Sequence, residues 1–325
     1  MRKMPLEDRN ITSSRILFGT TGLVGHGDDD PITDEVVLKA ERAIDAALSI
    51  GITMFDHANI YSNGKAETVF GKVLKARPEL RDQMVIQSKC GIRFKDGENP
   101  HRYDFSKEHI LSAVDASLSR LQVEYMDVLL LHRPDPLVEP DEVAEAFDRL
   151  KGSGKVRHFG VSNMSPGQIE LLQAACSVPL VVNQLEMSLM YTGWLDQGVL
   201  VNQKSGADVS FAAGIVEYCR LKNIQIQAWS SLANGAYSGR VLTNPSEEVL
   251  RTKQLVQAMA LSKETSAEAI VLGWLMRHPA GIQPVIGTVN PERIHRCQDA
   301  VRQAKIMTRE EWYRLYETSR GKAVT

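Results

Sequence analysis

Three stretches of β-forming residues in this sequence end in a side chain that can take part in acid–base chemistry. Asp56 ends the run 52–56, and Lys89 and His132 end two later runs. Tyr61 follows five residues after Asp56, on what should be the loop after that strand. Parallel strands of a barrel end on one rim, so we expect these four side chains to converge there. An acid, a cation, an imidazole and a phenol together suit the delivery of a proton to a carbonyl oxygen during its reduction, without a metal ion.

A phenol loses its proton more readily beside a cation, because the cation stabilises the phenolate. The ordinary pKa of tyrosine is about 10, and we expect Lys89 to lower that of Tyr61. Asp56 would keep the lysine charged and in place, while His132 would donate a hydrogen bond to the substrate oxygen. Each residue taken singly also has a structural interpretation, as a cap, a solvated charge or a packed core histidine. The neighbouring His57 should point away from Asp56 in a strand, which favours a structural role.

Eight β-rich runs alternate with segments of helical periodicity along the chain. Strict alternation predicts parallel strands, because each crossover between them consumes a helix of chain. Eight units favour a closed (β/α)8 TIM barrel of the α/β class, and a doubly wound open sheet is the alternative. The predicted strands are 15–20, 52–56, 84–89, 126–132, 156–161, 179–184, 224–229 and 283–287.

The sequence predicts one domain over residues 1–325, because no linker rich in proline or serine divides it. Residues 4–14 precede the first strand, and we expect them to form a small hairpin over the bottom of the barrel. Longer polar or glycine-rich segments follow several strands and are candidate walls of a substrate pocket, since such loops lie at the catalytic face of a barrel. These segments are 23–32, 92–105, 190–214 and 233–246.

Composition excludes several classes of function. Lys and Arg number 38 against 40 Asp and Glu, so the net charge of −2 provides no strong field for nucleic acid or a membrane surface. The sequence has neither the apolar core of a signal peptide nor a run that could span a membrane. The four cysteines are widely separated without a CxxC pair, which predicts reduced thiols in a cytoplasmic protein. The spacing of the glycines fits neither a Rossmann fingerprint nor a P-loop.

Two motifs resemble the aldo-keto reductase family, and the similarity extends over essentially the whole chain. Residues 55–61 read FDHANIY and are similar to the Asp and Tyr motif of that family, which 67–71 continues. Ser62 stands where the family usually has glycine, and Ala66 where serine is common. Residues 154–163 read GKVRHFGVSN, close to the most recognisable stretch of the family.

The resemblance implies a catalytic tetrad of Asp56, Tyr61, Lys89 and His132, with NADPH lying extended over the barrel mouth. It also implies positions for the carboxamide, the nicotinamide ring, the pyrophosphate and the remainder of the cofactor. The residues that occupy these cofactor positions are Gly19, Thr20, Thr21, Ser162, Asn163, Gln184, Trp229, Ser230, Ser231, Leu232, Gly235, Gly287, Thr288 and Arg293.

Recognition of a 2′-phosphate departs from the family pattern. Many relatives carry lysine and serine after the eighth strand, where this chain has Gly287 and Thr288. Arg293 remains, in the first turn of the helix that Asn290 and Pro291 open, and an arginine fork near a helix start suits a phosphate. A surface arginine with no ligand is the alternative. We therefore expect NADPH in preference to NADH.

These features predict an oxidoreductase that reduces an aldehyde or ketone with NADPH, acting on a small molecule and on neither nucleic acid nor membrane. One alternative is a non-catalytic NADPH-binding sensor or accessory subunit on the same fold. Another is a metal-dependent barrel hydrolase. It would need histidine and carboxylate ligands that converge at the rim of the barrel, and only His132, His57 and Asp56 are candidates for that role. The substrate, the direction of reaction and the oligomeric state are not indicated. Suggested pocket-lining residues are Val24, His26, Trp194 and Tyr237, and the few residues after Ser319 should leave the pocket open.

Overall fold

The eight expected strands close into a parallel barrel. The computed structural model describes residues 3–25 and 31–324. Each strand pairs with the next, and Leu17 in the first lies opposite Val285 in the last, which closes the ring. The (β/α)8 barrel is therefore confirmed, and the open sheet is excluded. The strands are β1 (Leu17–Gly19), β2 (Met54–Asp56), β3 (Val85–Cys90), β4 (Met126–Leu131), β5 (Val156–Ser162), β6 (Leu180–Glu186), β7 (Gln225–Trp229) and β8 (Gln283–Ile286).

Helices of 4 to 16 residues surround this barrel. A short antiparallel pair, Ile92–Arg93 with Arg102–Tyr103, forms part of the loop after β3. In the described part of the chain, no helix combines the length and the apolar character needed to cross a membrane. The helices are α1 (Pro5–Asp8), α2 (Asp34–Ser49), α3 (Lys65–Ala76), α4 (Lys107–Leu121), α5 (Pro140–Gly152), α6 (Pro166–Ala175), α7 (Gly193–Val199), α8 (Ile215–Leu221), α9 (Glu247–Ser262), α10 (Ala267–Arg277), α11 (Pro291–His295), α12 (Ala300–Ile306) and α13 (Arg309–Arg320).

The segment before β1 forms a helix, so the hairpin expected over residues 4–14 is wrong. Pro5 opens α1, and the Glu7 carboxylate accepts a backbone N–H from the start of the helix at 3.3 Å. Glu7 also pairs with Arg15 at 2.7 Å. Proline at the first helical position and a carboxylate in the first turn favour a helix over a strand. Leu6 from this helix is fully buried among apolar side chains contributed by the barrel strands.

Alternation along the strands explains why polar groups meet at the mouth of the barrel. In β2, Met54 belongs to the apolar cluster that Leu6 joins, whereas Phe55 packs into the larger cluster formed with the surrounding helices. Successive side chains of a strand point to opposite faces. Asp56 therefore lies on the same face as Met54, one layer nearer the carboxyl end. The same rule places Lys89 of β3 on the inner face.

Helix α3 packs closely on the last turn of α4 because it carries Gly71. A Cβ atom at this position would lie only 2.1 Å from the carbonyl oxygen of Arg120. The Arg120 Nε donates a hydrogen bond of 2.8 Å to the buried carboxylate of Glu67 in α3. The hydroxyl of Ser88 donates to the other oxygen of that carboxylate at 2.6 Å. Helix α3 is thus fixed against both α4 and β3, the strand that carries the lysine of the candidate site.

We predict that Gly71→Ala destabilises the fold. The added methyl group must push α3 away from α4, at a cost of about 1–3 kcal/mol. Urea denaturation measures this as a fall in the free energy of unfolding at an unchanged m-value. Gly167→Ala in α6 is the matched control, since a Cβ there meets nothing within 4 Å. Equal unfolding free energies for the two variants would contradict the close approach of the helices.

Candidate active site

An ion pair between Asp56 and Lys89 lies at the mouth of the barrel. Asp56 ends β2 and is 2% exposed, and Lys89 in β3 is 1% exposed. The Lys89 Nζ donates to Asp56 Oδ2 at 2.7 Å and to the carbonyl oxygen of His57 at 2.9 Å. A buried ammonium group is tolerated when it is paired and hydrogen-bonded. The register of the two strands, with Asp56 opposite Gln87, brings the acid and the lysine into this contact.

The same ammonium group also contacts Tyr61. The Lys89 Nζ donates to the Tyr61 hydroxyl at 3.0 Å, so the expected proximity of phenol and cation is observed. Tyr61 opens a tight turn in which Ser62 (φ 47°) and Asn63 (φ 54°) have left-handed backbone conformations. Glycine adopts this conformation with the least strain, and here Ser62 and Asn63 adopt it instead. The turn holds the tyrosine hydroxyl at the end of β3.

Burial dominates the pKa of Tyr61. It raises this pKa, Lys89 lowers it and Asp56 raises it again, so that it lies above the ordinary tyrosine value. The expectation of a lowered pKa is therefore wrong, because the desolvation of a phenolate here outweighs the attraction of the ammonium. Burial lowers the pKa of Lys89, but Asp56 and Tyr61 together raise it above its ordinary value. At neutral pH the tyrosine thus keeps its proton and the lysine its charge.

His132, directly after β4, is a neutral imidazole. Burial is the main reason that its pKa falls to about 2, and the charges of Lys89 and Arg133 lower it further. Its backbone N–H donates to the carbonyl oxygen of Cys90 at 2.9 Å, which ties it to the end of β3. Its ring lies edge-on to that of Tyr61, with centroids 6.1 Å apart. The Nδ1 atom is buried and has no hydrogen-bond partner within the described residues. A neutral ring beside the tyrosine can donate one hydrogen bond to a substrate oxygen.

His57 and Thr20 are buried and in contact with each other. The ring of His57 is buried edge-on against Phe70, with centroids 4.5 Å apart, and lies 3.0 Å from the Thr20 hydroxyl. Burial, and to a smaller extent Lys89, lowers the pKa of His57 to about 3. The hydroxyl of Thr20 also donates to the carbonyl oxygen of Asp56 at 3.1 Å. Thr20 is fully buried and does not line the cleft described next, unlike the other residues predicted to contact a cofactor.

A cleft of about 630 Å³ opens at the barrel mouth. Asp56, Tyr61 and His132 line it, whereas Lys89 lies behind them and reaches it through its contact with the tyrosine. The structure therefore brings all of the predicted cofactor residues except Thr20 into one cleft with Asp56, Tyr61 and His132, while Lys89 lies behind it. The predicted cofactor residues that line the cleft are Gly19, Thr21, Ser162, Asn163, Gln184, Trp229, Ser230, Ser231, Leu232, Gly235, Gly287, Thr288 and Arg293.

Ser162, Asn163 and Trp229 form a hydrogen-bonded group on the wall of this cleft. The indole N–H of Trp229 donates to Asn163 Oδ1 at 3.0 Å, and Asn163 Nδ2 donates to the Ser162 hydroxyl at 2.8 Å. That hydroxyl donates to the carbonyl oxygen of Gln184 at 2.9 Å. These bonds fix the plane of the indole ring. The guanidinium carbon of Arg133 lies 5.7 Å from its centroid, within the range of a cation–π contact.

Two arginines line the part of the cleft that the loops after β7 and β8 form. Arg293 comes from α11 and Arg240 from the loop after β7. The Nε of Arg293 lies 3.7 Å from the buried carboxylate of Glu268. Gly235 (φ 81°) approaches Arg293 so closely that a Cβ there would lie 2.9 Å from Nη2. The absence of a side chain at Gly235 therefore leaves room for the guanidinium group to pack against it.

Sequence reasoning missed two of the cleft's cationic residues. Arg133 directly follows His132, so the placement of polar residues at strand ends could have identified it. Arg240 lies in a loop where no motif or spacing marks it. Within residues 3–25 and 31–324, no three His, Cys, Asp or Glu side chains come together in a way that could hold a metal ion.

Three of the suggested pocket-lining residues are buried elsewhere. Val24, Trp194 and Tyr237 are each at most 6% exposed and do not line the cleft. Trp194 instead packs edge-on against Trp274, with ring centroids 5.6 Å apart. His26 lies outside the described residues. Of the residues described after Ser319, none lines the cleft.

The chain is similar to known reductases over nearly all of its length. The model of the Aldo/keto reductase family matches residues 15–317. A 6-dehydroglucose reductase from Agrobacterium fabrum is 37% identical over 333 residues, which cover 100% of both chains. An L-glyceraldehyde 3-phosphate reductase from Escherichia coli is 28% identical over 287 residues, covering 84% of this chain and 82% of the relative.

Solved structures share the architecture. An aldo/keto reductase from Klebsiella pneumoniae, crystallised with NADP and acetate, has a TM-score of 0.68 and 23% identity, covering 93% of this chain and 89% of that one. The family match begins just before β1 and ends within α13, so it spans the entire barrel. On this evidence the chain belongs to the aldo/keto reductase family of oxidoreductases.

Proposed function

We propose that this protein reduces an aldehyde or ketone to an alcohol with NADPH, and that Tyr61 donates the proton. The 3.0 Å contact between the Tyr61 hydroxyl and the Lys89 ammonium supports this proposal most directly. It pairs a protonated phenol with a buried cation at the edge of the cleft. A carbonyl oxygen bound between Tyr61 and His132 would accept hydrogen bonds from both.

The four side chains of the tetrad have separate tasks in this proposal. As negative charge develops on the substrate oxygen, Tyr61 transfers its proton to that oxygen, and the resulting phenolate is stabilised by Lys89. Asp56 holds the ammonium group in place at 2.7 Å. His132 stays neutral because its pKa is about 2, so it orients the oxygen by a hydrogen bond and adds no charge to the site. Lys89 is therefore the cation that offsets the developing negative charge.

The cleft suits a dinucleotide with a phosphate at one end. When bound, NADPH supplies the hydride for the carbonyl carbon. Ser162, Asn163 and Gln184 would hold its carboxamide, and the fixed indole of Trp229 would support the nicotinamide ring. Arg293 lines the cleft from the first turn of α11. This position supports the assignment of Arg293 to a 2′-phosphate, for which a guanidinium fork is well matched.

Small hydroxylated aldehydes are the substrate class we propose. The two relatives compared above are by name reductases of 6-dehydroglucose and of L-glyceraldehyde 3-phosphate. In this chain the Arg133 guanidinium lines the cleft directly after His132. It offers several hydrogen-bond donors to hydroxyl or anionic groups next to the reacting carbonyl.

Tyr61→Phe should lower kcat by about 10²–10⁴-fold, because it removes the proton donor. The affinity for NADPH should not change. Loss of NADPH absorbance with a panel of hydroxylated and aromatic aldehydes measures turnover, and quenching of tryptophan fluorescence measures binding. Tyr103→Phe, in the antiparallel pair after β3 and 38% exposed, is the control. A protein that binds NADPH, reduces nothing in the panel and is unaffected by Tyr61→Phe would favour the non-catalytic sensor.

Arg293→Ala should weaken the binding of NADPH by about tenfold or more, the effect of losing a hydrogen bond to a charged group. Binding of NADH should change little, since it lacks the 2′-phosphate. Arg296→Ala, at the exposed end of the same helix, is the matched control. The dissociation constants of NADPH and NADH, measured for each variant, show whether Arg293 recognises the 2′-phosphate. Equal losses for NADPH and NADH would remove Arg293 from 2′-phosphate recognition.

The rate of reduction should not change as pH passes the ordinary histidine pKa of about 6.5. The pKa of His132 is lowered to about 2, so this residue stays neutral on both sides of that value. Activity should decline only at alkaline pH, where Tyr61 loses its proton, and its raised pKa moves this decline upward. A pH profile of kcat/KM tests both expectations, the constant rate near pH 6.5 and the decline at alkaline pH. An acid limb near neutrality that disappears in His132→Asn would contradict the neutral imidazole.

A further inference from the structure

The barrel interior contains a layer of buried glutamines directly beneath the ion pair. Barrel interiors are normally filled by branched apolar side chains. Here four strands each contribute a glutamine that is at most 2% exposed. They are Gln87 from β3, Gln184 from β6, Gln227 from β7 and Gln283 from β8. We call these four residues the amide layer.

The amide layer is hydrogen-bonded to Asp56. The Nε2 atoms of Gln87 and Gln184 both donate to Asp56 Oδ1, at 2.6 Å and 3.1 Å. The Oε1 of Gln227 accepts from these same two Nε2 atoms, at 2.8 Å and 3.0 Å. The Nε2 of Gln227 in turn donates to Gln283 Oε1 at 3.2 Å. The chain of bonds therefore runs from the carboxylate across the barrel.

These bonds fix which way each amide group points. Since Gln227 Oε1 accepts from both neighbours, Gln87 and Gln184 must turn their NH₂ groups toward it, and the same groups reach Asp56. Asp56 Oδ1 is thus held by two amides, while Oδ2 receives the Lys89 ammonium. The carboxylate cannot rotate without breaking a buried hydrogen bond, which is costly in the absence of water.

We propose that Gln87 and Gln227 are positioning residues for catalysis, which act by holding the Asp56 carboxylate and through it Lys89 against Tyr61. Neither glutamine lines the cleft, so neither is placed to touch the substrate or the cofactor. The inference rests on the proposed reduction. It goes further in assigning a role in the reaction to residues of the barrel interior.

The first test is Gln87→Met and Gln227→Met, which keep an unbranched side chain of similar length but remove the amide. We expect kcat to fall by about tenfold to a hundredfold, as when a catalytic group is displaced slightly. In Gln87→Met, KM and the dissociation constant for NADPH should stay within about twofold, because Gln87 is hydrogen-bonded to Asp56 and Gln227 and to none of the proposed cofactor ligands. Circular dichroism and cofactor binding show whether each variant is folded.

Gln225→Met is the matched control. Gln225 lies on the same strand as Gln227 and is equally buried, but its amide donates only to the carbonyl oxygens of Ile226 and Gly281, at 2.9 Å and 2.8 Å. Its loss tests the general effect of removing a buried amide from the barrel. If Gln87→Met and Gln227→Met retain the kcat of Gln225→Met, the positioning role is overturned.

Gln87→Glu separates hydrogen-bond donation from packing, since it keeps the shape of the side chain. The groups in contact with this position are Asp56 from β2 and the neutral Gln227 from β7, with Lys89 on its own strand. An ionised carboxyl there repels Asp56, whereas a protonated one donates to it. We expect its kcat to be low at neutral pH and to recover as the pH falls, whereas the kcat of the wild type stays flat between acid and neutral pH. A profile parallel to the wild type would overturn the inference.

A readout without turnover distinguishes this inference from the proposed function. The ultraviolet titration of each variant, minus that of the same variant with Tyr61→Phe, gives the pKa of Tyr61 alone. Removing Gln87 should raise it, because a displaced Lys89 stabilises the phenolate less. An unchanged Tyr61 pKa in Gln87→Met would count against positioning. A wild type that reduces no aldehyde or ketone would instead refute the proposed function.

Discussion

The buried ammonium group of Lys89 constrains the geometry of the rest of this site. The Lys89 ammonium is 1% exposed, and it is acceptable there only because each of its three hydrogens has a partner. Those partners are the Asp56 carboxylate, the carbonyl oxygen of His57 and the hydroxyl of Tyr61. Because all three hydrogens need partners, β2 must end at Asp56, β3 must pair with β2 in the observed register, and the turn after β2 must bring Tyr61 to the ammonium group. Removing either charge from such a pair leaves the other uncompensated, at a cost of about 3–5 kcal/mol.

The barrel and the convergence of the site were predictable because both follow from local periodicity. The alternation of strand runs with helical segments is typical of a parallel α/β barrel. Asp56 and Lys89 lie at or next to strand ends, and in a parallel barrel these ends lie on one rim. Tyr61 could be placed near them because a loop of a few residues cannot carry it far. The family motifs around these residues added the cofactor positions, of which Thr20 alone does not line the cleft.

What could not be predicted depends on balances between competing effects or on contacts distant in sequence. The direction of the Tyr61 pKa required knowing that burial exceeds the attraction of Lys89. The helix α1 depends on Pro5 at its first position and on the Glu7 carboxylate in its first turn, signals that the expectation of a hairpin overlooked. In the amide layer, Gln87 is hydrogen-bonded to Gln227, 140 positions away in the sequence, so no local pattern predicts this contact. Arg240 lines the cleft from the loop after β7, and the path of that loop cannot be predicted from the spacing of residues in the sequence.

The turn that follows Tyr61 limits where new specificity can be introduced. Ser62 and Asn63 both occupy the left-handed region, which β-branched and bulky side chains avoid. Choice of amino acid at these two positions is therefore governed by backbone geometry, even though they lie beside Tyr61, the proposed proton donor. An engineer who wishes to alter the proposed substrate range would diversify the loop after β7 instead, because residues of that loop line the cleft. There the polypeptide tolerates sequence change without disturbing the Tyr61 hydroxyl.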